Sequence, residues 1–288
     1  MKPVLALVSL IALALLAGCA SLPSRGPASV GAALINLACQ APRGLHDAAR
    51  ANKASLTDPA WAPFGRPETG WSVYAPKASH EIETGCAPKT QGFAGRLSRW
   101  QSRHDLPATG AMDPATFLAM KTSWQQSRPF VAQRAAGLCP DPPPPAALTT
   151  LPANETLDGK TVQLRADAHE ALERMVAAAR RDMPNLAPDR LTVFSGFRDP
   201  AYDARRCASE GNCDGVGRAT CSAHRTGLAV DLMLGAAPGF EVDSSKDANR
   251  LWQTHTDAYL WLVGHADRFG FVNYPFEPWH WEWIGVAG

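Results

Sequence analysis

The segment Ser222-Ala-His-Arg-Thr-Gly-Leu-Ala-Val-Asp231 sets a His and an Asp seven residues apart, and Glu277-Pro-Trp-His280 brings a carboxylate and a second His near the C-terminus. Two His and one Asp form a three-ligand set for Zn2+, whose open fourth position would hold water. A spare Glu near that water is what a hydrolytic zinc site needs as general base. His224, Asp231 and His280 are therefore the expected ligands of one zinc ion per chain, and Glu277 is left over for proton transfer.

Elements must carry these groups together. Leu228 to Leu234 reads as a buried strand entered through Gly227. On it Leu228, Val230 and Leu232 share one face, and Ala229 and Asp231 the other. Small Ala229 leaves room beside Asp231, and a carboxylate in an apolar run needs a cation or a hydrogen-bonding partner. Helical spacing predicts a helix over 166–182, stopped where Pro184 biases Met183 away from helical geometry. A strand over 191–194 delivers Ser195 to Arg198, a short helix follows over 200–207, and 211–219 is a loop. A second long helix runs over 251–269 and ends at Gly270. A strand over 271–284 returns with Glu277 and His280, and Glu282, on the face of His280, is the close competitor for the base. Helices and strands mixed without strict alternation predict an α+β fold, with a small, mainly antiparallel sheet flanked by helices.

Ser-x-His-x-x-Gly-x-Ala-x-Asp followed by Glu-x-x-His resembles the zinc D-alanyl-D-alanine carboxypeptidases of the VanY type. Ser195-Gly-Phe-Arg198 is similar to that family's Ser-Gly-Tyr-Arg segment, with Phe197 for Tyr. The resemblance implies that Glu277 is the general base and that Arg198 stabilises the tetrahedral oxyanion, as a permanently charged guanidinium suits. It implies that Ser222 helps to hold substrate. Arg225 would bind a substrate carboxylate, and Trp279 would line the pocket, although Trp279, Trp281 and Trp283 also read as core and wall. The implied reaction removes the terminal D-alanine from peptidoglycan stem peptides. L,D-carboxypeptidase and cross-link endopeptidase activity stay open, as does a wall-binding lipoprotein without catalysis. Leu97-x-x-Trp-Gln-x-x-x-x-Leu-Pro-x-x-Gly-x-x-Asp-Pro-Ala-Thr-Phe117 resembles a peptidoglycan-binding-like domain. There Phe93, Leu97 and Trp100 mark one helix, Asp113 caps another at Pro114, and a helix over 74–83 completes a three-helix module.

The 288 residues allow two small domains, and a net charge of +1 gives no support to nucleic-acid binding. Met1-Lys2, an apolar run to Leu16 and Leu16-Ala-Gly-Cys19 resemble a bacterial lipoprotein signal; an ordinary secretory signal is the alternative. Lipid on Cys19 would anchor the protein to a membrane, and Ala20-Ser21 favours the periplasmic face of the outer membrane by resemblance to Gram-negative sorting. Peptidoglycan is the expected partner, with no protein partner. The expected layout is a signal over 1–18, a tether over 19–60, the helical module over 61–127, a proline-rich linker over 128–150 and the catalytic domain over 151–288. The linker reads as a stiff spacer or an SH3-type ligand. Cys39, Cys86, Cys139, Cys207, Cys213 and Cys221 suit three disulfides in an exported protein, with zinc ligation by the last three as the alternative. With the boundary at the proline run three Cys fall on each side, so either one bridge joins the halves or a Cys stays free; the expectation is that Cys139 bridges to the catalytic domain, that Cys39 pairs with Cys86 and that one bridge remains among the last three. The module is expected to be separable from catalysis on small substrates. His255 and His265 read as core edge or surface, and His46, His80, His104 and His169 have no metal-like spacing.

Overall fold

The computed structural model describes residues 39–40, 44–210 and 221–285. Cys19, the signal, Cys213 and the 211–219 loop lie outside them.

The N-terminal unit is larger than the predicted three helices. It holds α1 (His46–Ser55), a short hairpin of β1 (Ala60–Trp61) and β2 (Glu68–Thr69), α2 (Ala75–Glu81), α3 (Gln91–Arg103), α4 (Pro114–Gln126) and α5 (Pro129–Ala135). Its core gathers Trp71, Tyr74, Phe93, Leu97, Trp100, Phe117 and Met120. Asp113 caps α4 by accepting from the Thr116 amide at 2.7 Å, ahead of Pro114. Within the expected tether over 19–60, residues 46–55 form α1, which packs on α3 and buries Ala48, Ala49 and Asn52. Buried Asn52 donates to Gly110 O at 2.9 Å and accepts from the Met112 amide at 2.7 Å, a contact that hydrophobic periodicity cannot announce. The linker over 128–150 is also more ordered than expected. It contains α5 and ends in β3 (Leu148–Thr150), which pairs with β4 (Gln163–Arg165).

In the C-terminal unit, Ala168, Ala171, Leu172, Met175 and Ala179 form the buried stripe of α6 (Ala166–Asp182). They pack with Val193, Val230, Leu232, Leu262 and Trp281 in one core. Four strands, β5 (Val193–Ser195), β6 (Ala229–Leu232), β7 (Phe271–Asn273) and β8 (His280–Trp283), form a sheet in the order β5-β6-β8-β7, antiparallel at every step. The fold is α+β with a small antiparallel sheet among helices. Helix α7 (Pro200–Glu210) follows β5. Two expectations are corrected here. The long helix over 251–269 is broken into α8 (Asp247–Gln253), α9 (Asp257–His265) and a 3-10 turn, because Thr256 takes the N-cap of α9 and accepts from the Tyr259 amide at 3.3 Å. The strand over 271–284 is a hairpin, and the connection between β7 and β8 carries Pro275, Glu277 and Pro278. Two ring-locked residues within four positions disfavour a continuous ladder.

Disulfides join Cys39 to Cys86 and Cys139 to Cys221; the second ties the linker to the C-terminal unit. Cys207 is also disulfide-bonded. Among the described residues no helix is long and apolar enough to cross a membrane.

The two units share a built interface. Phe64 meets the rings of Tyr274 and Phe276 at 5.8 and 5.7 Å. Fully buried Arg250 donates to Glu68 Oε2 at 2.8 Å, the Tyr74 hydroxyl at 2.6 Å and Phe276 O at 2.7 Å. Both units thereby bury charge in common, and the N-terminal unit is docked on the C-terminal one. Replacing Arg250 strands the Glu68 carboxylate away from water. Arg250→Met should therefore cost roughly 3–5 kcal/mol, the usual cost of breaking a buried pair from one side. Urea denaturation checks it, and a loss below about 1 kcal/mol, the scale of exposed pairs, would show that water reaches Glu68.

Candidate metal centre

Sheet register assembles the centre. Asp231 lies directly across from His280 in the β6–β8 ladder, and Ala229 across from Glu282. Side chains at such positions stand about 5 Å apart at Cβ. Val230 and Leu232 point into the core, so Asp231 takes the opposite face. His224 arrives from a 3-10 turn over Ala223–Thr226. That turn closes at Gly227, where φ is +72° and a Cβ would meet Arg165 Cγ and Leu148 Cδ2 at 3.1 Å, so only glycine fits without strain.

Each imidazole is held by its far nitrogen. His224 Nδ1 lies 2.7 Å from Gly196 O, and His280 Nε2 lies 3.1 Å from Glu282 Oε1. Both partners accept, so both far nitrogens carry hydrogen and the near ones present lone pairs when the rings are neutral. The near nitrogens, His224 Nε2 and His280 Nδ1, are 3.2 Å apart. Asp231 Oδ2 is 3.2 Å from the first and Oδ1 is 2.9 Å from the second. All three ligand atoms lie within 4.8 Å of one another and all three residues are buried. Three acceptors converging in a dry site fit a cation, and the donor set and outer hydrogen bonds suit zinc.

Charge follows this geometry. Burial and the Arg198 guanidinium push His224 below its usual value, although Asp231 opposes them. Burial would raise Asp231, but the charges and hydrogen bonds of His224 and His280 outweigh it and hold the carboxyl well below the usual range. Burial would lower His280; the bonds to Asp231 and Glu282 reverse that and lift it to about 9. Burial would raise Glu282, but His280 and Arg128 hold it at about 2. Glu277 goes the other way, raised chiefly by burial with Asp231 adding to it, against His280 and Arg198.

The other sequence-predicted residues divide. Glu277 sits half-buried in the β7–β8 connection, outside the three-ligand cluster yet within the field of His280, Asp231 and Arg198. Arg198 Nη2 reaches Ser222 Oγ at 3.4 Å and its Nε lies 3.8 Å from Asp203 Oδ2, so that Nε has no hydrogen-bond partner. Arg225 Nη1 donates to Cys139 Sγ at 2.7 Å, at the disulfide rather than in the cluster. Trp279 is 3% exposed and packs within the apolar cluster, in keeping with the core reading that the sequence offered beside the pocket wall.

Sequence reasoning missed several contributors. Asn273 Nδ2 donates to His280 O at 2.9 Å and fastens the turn that carries Glu277. Glu282, which the sequence offers on the face of His280 as a competitor for the base, is instead an outer partner of that ring. Arg128 donates to that Glu282 from the other unit, with no sequence signal at all. His169 also gains company, because Glu155 and Glu173 join it within 4.8 Å, with His169 Nε2 2.6 Å from Glu155 Oε2.

No curated protein matches the chain. A solved structure of the LdcB LD-carboxypeptidase, reported as revealing peptidoglycan recognition, is similar at 24% identity over 51% of this chain and 72% of that chain, with a TM-score of 0.38. Residues 161–286, which include Arg198, His224, Asp231, Glu277 and His280, match the model of the VanY family, D-alanyl-D-alanine carboxypeptidase.

Proposed function

We propose that this chain is a zinc metallopeptidase of the bacterial cell envelope that removes the terminal D-alanine from peptidoglycan stem peptides ending in D-Ala-D-Ala. The convergence of three lone pairs from His224, Asp231 and His280 carries the reading. The match over residues 161–286 supports the substrate class. Lipidation of Cys19 would hold the enzyme at the periplasmic face of the outer membrane. The N-terminal helices would add affinity for the wall.

Zinc held by these three residues would supply Lewis acidity and a water of lowered pKa. Glu277 accepts a proton from the attacking water and passes it to the leaving amine. Its raised affinity for protons and partial exposure fit that role. Glu282 does not compete, because His280 and Arg128 occupy it and its pKa near 2 makes it a poor acceptor. The Arg198 guanidinium stabilises the developing oxyanion and stays charged throughout. Ser222, beside it, helps to orient the peptide.

Glu277→Gln should keep about one zinc per chain and lose roughly 10²–10⁴-fold in turnover, the usual worth of a positioned base. His280→Ala should lose metal and activity together, because two ligands make a poor site. Metal analysis with single-turnover assays on a D-Ala-D-Ala peptide checks the pair, and mass analysis of the products shows which bond is cut. A metal-free Glu277→Gln would make the Glu a ligand, and release of any residue other than terminal D-alanine would refute the specificity.

Zinc affinity should also depend on pH. His280, raised to about 9, holds a proton in the metal-free centre below that value, and the cation must displace it. As pH falls below about 9, affinity should weaken by roughly tenfold per unit through this proton, and binding at pH 7.5 should release about one proton. Chelator competition across pH, with calorimetry in buffers of different ionisation enthalpy, measures both; pH-independent affinity would refute the assignment.

A further inference from the structure

The outer partner of His280 is itself held from outside the segment that matches the family. Glu282 Oε1, facing His280 Nε2 at 3.1 Å, accepts from Arg128 Nε at 2.9 Å and Nη2 at 2.5 Å. Both residues are nearly sealed from water, with Arg128 5% and Glu282 4% exposed. Arg128 belongs to the N-terminal unit, at the junction of α4 and α5, and precedes the matched residues 161–286.

Its position is built. Pro129 biases Arg128 to extended backbone, and it adopts φ −100° and ψ 110°. Gln125 Oε1 accepts from Nη1 at 2.9 Å, and the guanidinium lies 4.2 Å from the centroid of the Tyr274 ring. Tyr274 in turn meets the His280 ring edge-on at 6.0 Å. On the sheet, Glu282 stands opposite Ala229, whose methyl side chain leaves space for the incoming Arg.

We propose that Arg128 is a positioning residue of the metal centre: it fixes the Glu282 carboxylate against His280 Nε2, so that docking of the N-terminal unit sets the metal affinity of the C-terminal unit. Without Arg128 the carboxylate is a buried charge with one partner fewer, free to turn toward water, and the His280 ring loses the acceptor that orients it. Outer partners of this kind contribute roughly 10–100-fold to metal affinity. The inference rests on the zinc reading above.

The test uses the full chain and Zn2+ itself, by chelator competition, with thermal unfolding of each metal-free protein as a fold check. Arg128→Met should bind zinc about 10–100-fold more weakly. Arg128→Lys keeps the charge but not the two-donor fork, and should fall between Met and wild type. Folded Arg128→Met with affinity within about twofold of wild type would overturn the proposal, since an outer partner is worth more than that. If Arg128→Met fails to fold, Arg128→Lys decides: wild-type affinity overturns the proposal, and a severalfold loss sustains it. A wild-type chain that binds no zinc would instead sink the metal reading, and this inference with it.

Discussion

Asp231, His224 and His280 point lone pairs at one another where water is nearly excluded, and electrostatics forbids that arrangement unless a cation or a proton lies between them. The surrounding structure holds the arrangement in place. An antiparallel register sets Asp231 against His280, and a glycine-closed turn brings His224 over them. Gly196 O and Glu282 hold the far nitrogens, so neither ring can rotate its lone pair away. The β6–β8 ladder therefore specifies chemistry as well as fold, because a slip of one residue would turn Asp231 or His280 into the core.

Charges alternate outward from this point. Asp231, His280, Glu282 and Arg128 form a buried series of anion, cation, anion and cation in the metal-free protein, each facing the next. A single buried charge is costly, but a series in which every member has an opposite neighbour spreads that cost. A second series, Glu68 with Arg250 and Tyr74, crosses the same interface and reaches the carbonyl of Phe276, next to Glu277. Apolar contact between the units, through Phe64 with Tyr274 and Phe276, is flanked by these two polar links, since Arg128 lies over the Tyr274 ring and Arg250 over the Phe276 ring. Such an interface has one register, because sliding it would strand Glu68 and Glu282 together.

Much of this was legible locally. Periodicity placed the helix at 166–182, the Asp113-Pro114 pair marked the start of α4, and Gly270 marked the end of the helical run with φ +80°. Spacing brought forward His224, Asp231 and His280, whose ligand atoms do meet. The misses share a cause. Helix α1 is held by Asn52 hydrogen bonds, the break before α9 by one threonine cap, and neither alters hydrophobic periodicity. Tyr274 to Trp279 read as strand because aromatic residues suit strands, whereas two prolines and Asn273 make a turn. The bond between Arg128 and Glu282 spans 154 positions, and no local pattern reports a partner that distant.

This distant bond changes how the N-terminal helices can act. A module on a flexible tether raises local concentration across the volume its linker sweeps. Here the linker is pinned by Cys139–Cys221, and the units are joined by Arg128–Glu282 and by Glu68–Arg250. Reach is then replaced by fixed geometry. If the helices hold wall polymer, they hold it at one distance and one angle from His224, Asp231 and His280. Such an enzyme would act on stem peptides at a set spacing from the bound strand, and its selectivity would reside in the docking of the two units as much as in the pocket.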